Sequence, residues 1–232
     1  MAAFLCYVTD RKVLASPDAA SLLSVVRRAI AAGLDWIQIR EKEMSARALV
    51  ALAGDAVAAA RGSSTRILIN GRLDVAVAAQ AGGVHLGGDA LPIADVAAWC
   101  AQNVPQFAAA PRDKQAAGLK AGATAFLLGA SCHSLAEAQA AEGDGAHYIF
   151  FGPVYSTPAK MQFGAPQGLV RLQEVCRAVR IPVLAIGGIT LDNAHECLRA
   201  GAAGIAAIRL FQECDDLAAL AENLRAAHHN GP

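Results

Sequence analysis

Pro182–Ile208 reads PVLAIGGITLDNAHECLRAGAAGIAAI, and its two apolar runs decide the fold. Pro182–Ile186 and Gly204–Ile208 contain no polar residue, as expected of short strands buried on both faces. Between them Asp192–Ala200 has helical periodicity, and Gly201 follows where a left-handed C-cap is wanted. Two strands joined through a helix make one βα crossover unit. The same unit recurs towards the N-terminus. Further strands are predicted at Phe4–Thr9, Trp36–Arg40, Arg66–Asn70, Gly83–Leu86, Ala125–Ala130 and His147–Phe151. Helices are predicted at Ala19–Ala32, Ala46–Arg61, Leu73–Ala81, Ile93–Asn103, Ser134–Glu142, Leu169–Val179 and Leu217–His228, with Gly33, Gly62, Gly82 and Gly143 read as caps like Gly201. Eight evenly spaced units predict one α/β domain over residues 1–232, a single (β/α)8 or TIM barrel. A doubly wound open sheet is the rival, but no Gly-rich fingerprint follows the first strand. Val104–Thr124 reads as an extra segment between the fourth helix and the fifth strand.

Composition narrows the function. Hydrophobic residues are 55% and charged residues 17%, which excludes a disordered chain. Twenty basic and twenty acidic residues cancel, so no global field exists to hold nucleic acid or an acidic membrane. No apolar run reaches the ~18 residues of a spanning helix, and the apolar N-terminus lacks a basic leader. The six cysteines are scattered without a C-x-x-C pair, so reduced thiols and a cytoplasmic location are expected. The expected partners are small molecules, with further copies of the same chain left open.

In a barrel of this kind chemistry belongs to the loops after the strands. Polar residues collect there. The second strand ends Gln38-Ile39-Arg40-Glu41-Lys42, and period two points Gln38, Arg40 and Lys42 the same way. Two cations on one face call for an anion between them; a solvated end with an Arg–Glu pair is the plain alternative. Asn70-Gly71-Arg72, His85-Leu86-Gly87-Gly88-Asp89 and Ser131-Cys132-His133 close the next three strands. The sixth opens into a Gly/Pro-rich loop from Gly152 to Gly168 that carries Lys160 and reads as a lid. Gly187-Gly188 and Ile208-Arg209 end the last two, where barrels commonly hold phosphate; the glycines serve a tight turn equally well. Arg40, Lys42, Lys160 and Arg209 suit phosphorylated small molecules.

These motifs, in this order, resemble the thiamin phosphate synthase family, which also contains thiazole tautomerases. The resemblance rests on Tyr7-Val8-Thr9-Asp10, Gln38-x-Arg40-x-Lys42, Asn70-x-Arg72-x-Asp74, Gly83-Val84-His85-Leu86-Gly87, Gly152-Pro153-Val154 with Thr157-Pro158-Ala159-Lys160, Ala165-Pro166-Gln167-Gly168-Leu169 and Ala185-Ile186-Gly187-Gly188-Ile189. It implies a transferase of thiamin biosynthesis. Hydroxymethylpyrimidine pyrophosphate loses pyrophosphate, and the ring nitrogen of a thiazole phosphate captures the pyrimidine carbocation. By the same resemblance Arg40, Lys42, Asn70 and Lys160 hold pyrophosphate and Gln38 the pyrimidine. Thr157, Gly187, Gly188, Ile208 and Arg209 place the thiazole phosphate, Ser131 belongs to the substrate-binding set, and His133 is a catalytic candidate. It also implies Mg²⁺, but the two usual aspartates stand here as Gly71 and Ala90, leaving Asp89 one position off as the remaining ligand. The alternatives are a metal-independent tautomerase acting on thiazole carboxylate phosphate, for which His133 would be the acid/base, and a catalytically silent barrel that binds precursors.

Overall fold

Eight parallel strands pair in chain order and the last pairs with the first, closing a barrel. The structure, a computed structural model, describes residues 3–109, 125–156 and 165–229. The strands are β1 (Phe4–Val8), β2 (Trp36–Ile39), β3 (Arg66–Asn70), β4 (Gly83–Leu86), β5 (Leu127–Cys132), β6 (Tyr148–Phe151), β7 (Val183–Ile186) and β8 (Gly204–Ala207). The helices outside it are α1 (Ala19–Ala31), α2 (Ala46–Ala60), α3 (Leu73–Ala78), α4 (Ile93–Asn103), α5 (Leu135–Gly143), α6 (Gly168–Ala178), α7 (Leu191–Arg199), α8 (Arg209–Gln212) and α9 (Leu217–His229). Side-chain caps start several of them: the carboxylate of Asp18 and the hydroxyls of Ser45, Ser134 and Thr190 each accept a first-turn N–H.

The alternation within each strand divides the core in two. Outward residues such as Leu5, Tyr7, Ile37 and Ile39 pack under the helices. Inward residues fill the barrel with an aromatic column in which Trp36 lies 5.1 Å from Phe4 and 4.6 Å from Tyr148 between ring centroids. Below its carboxyl end the barrel is therefore a packed core. No helix among the described residues is long and apolar enough to cross a membrane. All six cysteines are free thiols.

The differences from expectation are local. β2 stops at Ile39, because the Arg40 N–H leaves the ladder for the Thr9 hydroxyl oxygen at 2.9 Å. β5 runs on to Cys132, which pairs with Phe151, so Ser131 is a strand residue and points inward. Gly33, Gly62 and Gly201 have the expected positive φ, but Gly82 and Gly143 do not serve as left-handed caps. α3 ends early at Ala78 and Gln80 takes the left-handed place, with the Ala81 N–H reaching back to the Ala76 carbonyl at 2.9 Å. α5 runs through Gly143, so Gly145 takes that place there. The four-residue α8 was not foreseen, and most of Val104–Thr124 lies outside the described residues.

Candidate functional site

The inward rows of β2 to β5 place Gln38, Asn70, His85 and Ser131 around the carboxyl-terminal mouth. Gln38 is buried and its amide nitrogen donates to the Asn70 side-chain oxygen at 2.9 Å, so two neighbouring strands present one joined polar group. His85 sits beneath, 1% exposed, with its ring nitrogens at 2.9 Å from the Ser131 hydroxyl and 3.1 Å from the Tyr148 hydroxyl. Burial, helped by the positive field of Arg40, drives its pKa down to about 3.

That shift has a measurable consequence. Below pH 6.5 the unfolded chain takes up a proton that native His85 refuses. Its contribution to stability is therefore complete above about pH 6.5 and declines as pH falls towards 3, by up to about 1.4 kcal/mol per pH unit. Urea unfolding between about pH 7.5 and pH 5 should show this slope, and His85→Asn should flatten it. An undiminished slope in the variant would refute the assignment.

Glu41 turns away from the mouth, and it does not pair with Arg40. Its buried carboxylate accepts from the Thr9 hydroxyl at 2.7 Å and from the Arg11 backbone N–H at 3.2 Å, and it meets the Arg11 guanidinium at 3.6 Å. Burial pushes its pKa up, opposed by these bonds. Since Thr9 also holds the Arg40 N–H, this buried group fixes the backbone that carries Arg40. Among the described residues the half-buried Arg40 guanidinium has neither a hydrogen-bond nor an ion-pair partner. It is close enough to His85 and Asp89 to lower the pKa of both. The exposed Lys42 ammonium lies 3.5 Å from Asp89, whose own backbone N–H and this ammonium hold the carboxyl below its usual range.

Gly71 has φ 69°, and a Cβ there would meet nothing within 4 Å. Ala90 is turned against the outer core, so Asp89 is the residue of its loop that reaches the cations. No group of three or more His, Cys, Asp or Glu suited to a metal occurs among the described residues. A groove of about 640 Å³ beside the mouth, between α3 and α4, is lined largely by Leu73, Val77, Leu91, Val96 and Trp99. Its apolar walls do not suit a phosphate.

On the opposite side Gly187 and Gly188 turn with φ 94° and 68°. A Cβ on Gly188 would stand 2.7 Å from the Ser156 carbonyl oxygen and from the Tyr155 Cβ, so only glycine lets the β6 and β7 loops meet. Tyr155 ties the β6 loop to α7 through a 2.8 Å bond to Glu196. Ile208 caps α8, and the exposed Arg209 guanidinium lies 3.7 Å from Glu213. The His133 Nδ1 donates to the Gly152 carbonyl. Cys132 faces the outer core, where burial lifts its thiol to about 12. Thr157 and Lys160 lie outside the described residues.

Sequence reasoning missed the supports. Thr9 and Glu41 brace β1 against β2. The buried Gln212 accepts from the Tyr7 hydroxyl at 2.7 Å and donates to the Asp10 carbonyl at 2.7 Å, anchoring α8 to the start of the chain. The one usable signal was Glu41, out of phase with the inward row.

A family model described as thiamine monophosphate synthase matches residues 5–105 and 111–211. A thiamine-phosphate synthase of Methanocella arvoryzae is 39% identical over 202 residues, covering 87% of this chain and 85% of that protein. One of Roseiflexus castenholzii is 37% identical over 201 residues, covering 87% of this chain and 77% of that protein. Among solved structures, a thiamine phosphate pyrophosphorylase of Pyrococcus furiosus superposes with a TM-score of 0.76 at 32% identity, over 97% of this chain and 95% of that one.

Proposed function

The chain belongs to the thiamine monophosphate synthase family, and on that premise we propose that it is a transferase of thiamin biosynthesis joining hydroxymethylpyrimidine pyrophosphate to thiazole phosphate. The observation that carries the reading is the half-buried Arg40 guanidinium, which has no ion-pair partner among the described residues and stands on the same mouth as Lys42 and the Gln38–Asn70 pair. A cation kept unneutralised in such a place fits an anionic ligand.

In the reaction the C–O bond to pyrophosphate breaks and its electron pair leaves with the pyrophosphate. The thiazole nitrogen lone pair then forms the new C–N bond, and the positive charge ends on the thiazolium. The protein's task is to stabilise the charge that gathers on the leaving oxygens. Arg40 and Lys42 would do so, with Asn70 donating beside them and Gln38 orienting the pyrimidine. Gly187, Gly188 and the Ile208–Arg209 turn would receive the thiazole phosphate. The residues fit a resident Mg²⁺ poorly: Asp89 is the one carboxylate directed at this part of the mouth among the described residues, and it already faces Lys42.

A second reading, tautomerisation of thiazole carboxylate phosphate, is favoured by the His133 ring, whose Nδ1–H is held by Gly152 so that Nε2 is left to take a proton. One assay separates the two. Incubation with both synthase substrates is expected to release pyrophosphate and form thiamin phosphate in equal amounts. Isomerisation of the carboxylate phosphate, with no condensation, would replace the synthase reading by the tautomerase one.

A further inference from the structure

Ser131, His85 and Tyr148 form a chain of hydrogen bonds from the mouth into the closed interior, and the proton positions along it can be assigned. The Tyr148 hydroxyl is 3.1 Å from His85 Nδ1, and His85 Nε2 is 2.9 Å from the Ser131 hydroxyl. The imidazole rests on Phe150, 4.2 Å between ring centroids. Gly129 leaves the space for the phenol: a Cβ there would fall 2.0 Å from the Tyr148 ring and 2.4 Å from its oxygen.

Tyr148 is fully buried, and among the described residues its hydroxyl has no other hydrogen-bond partner. A buried phenol must place its one hydrogen on an acceptor, whereas an unused oxygen lone pair costs less. A proton on His85 Nδ1 would point at the phenol oxygen and strand the phenol hydrogen. Tyr148 therefore donates to Nδ1, the imidazole proton lies on Nε2, and Nε2–H donates to Ser131. The low pKa of His85 keeps the ring neutral over the working range of pH. With its oxygen already accepting, Ser131 has its own hydrogen left to offer to the mouth.

We propose that His85 and Tyr148 are positioning residues that fix Ser131 as a hydrogen-bond donor, so that the site selects a ligand presenting an acceptor, such as an unprotonated ring nitrogen, at that point. This rests on the synthase reading for the identity of the ligand, and not for the direction of the bonds.

The direction is read in the free, full-length protein by two-bond ¹⁵N–¹H correlation, with the His85 signals identified by their loss in His85→Gln. The expected result is the Nε2–H tautomer, unchanged between about pH 5.5 and pH 8. An Nδ1–H tautomer, or titration within that range, would overturn the proposal whatever the enzyme's activity. The role is read from kinetics. Ser131→Ala is expected to raise KM for the pyrimidine pyrophosphate about tenfold with kcat little changed, as for a contact made equally in ground and transition states. His85→Leu combined with Tyr148→Phe, which leaves no buried phenol without a partner and removes the donor to Ser131, should raise KM to a similar extent, and adding Ser131→Ala should change nothing more. Additive losses, or a Ser131→Ala variant with wild-type KM, would overturn the donor role. An inactive wild type would defeat the synthase reading, and the tautomer alone would then decide the proposal.

Discussion

Arg40→Gln is expected to lower kcat/KM for the condensation by about 10²–10³ while leaving the unfolding midpoint close to wild type. The size is typical of removing one preorganised group that stabilises charge developed in the transition state. The unusual part is the expected indifference of the fold. Loss of Arg40 breaks no ion pair among the described residues, and the backbone bond from its N–H to Thr9 does not depend on the side chain. Lys42→Gln should cost less, about tenfold, because the ammonium is exposed and shared with Asp89. Steady-state kinetics beside thermal melts check both. An Arg40→Gln enzyme within about threefold of wild type would remove pyrophosphate from this side of the mouth.

Gly71→Asp is expected to make pyrophosphate binding depend more strongly on magnesium than it does in the wild type. The variant places a carboxylate on the β3 loop, next to the β4 loop that carries Asp89, and the space at the Cβ is open. Two carboxylates with pyrophosphate oxygens and water form a set that Mg²⁺ accepts. In calorimetric titrations with inorganic pyrophosphate, Mg²⁺ should tighten binding to the variant about tenfold or more and to the wild type less than about threefold. The φ of 69° at this position adds strain, yet Asp is among the residues that best tolerate it. Ala90→Asp is the poorer choice, since that side chain packs on the outer core. A wild type whose pyrophosphate affinity rises tenfold with Mg²⁺ would show that Asp89 suffices as a ligand and that charge is not left to the cations.

The barrel was legible because its evidence is local. Each strand is an apolar run of a few residues, each helix has its own period, and eight repetitions outweigh any single error. The inward Gln38 was legible for the same reason, as period two needs no knowledge of neighbours, whereas Arg40 and Lys42 follow the end of β2, where that period no longer applies. The supports of the site were not. Glu41 reads as the partner of the arginine beside it in sequence; in space it serves Thr9 and Arg11, some thirty positions away. Gln212 looks like a surface residue after the last strand, yet it is buried against Tyr7 from the first. α8 is too short for periodicity to declare it. His85 and Tyr148 stand 63 residues apart, and only the β4–β5–β6 register brings them together.

The aromatic column under His85 makes the barrel a blind well. Trp36 and Tyr148 are wholly buried, so nothing passes from one end to the other. Whatever reaches Ser131 enters at the carboxyl-terminal mouth and must leave by the same opening. For a reaction that joins two molecules, such a shape imposes a queue. On the proposed assignment a reactant lying on Gln38 and Ser131 would have to arrive before one that closes over it, and an excess of the second, settling first, would bar the way down. The filling that stabilises the barrel from within thereby leaves a single rim for every arrival and departure.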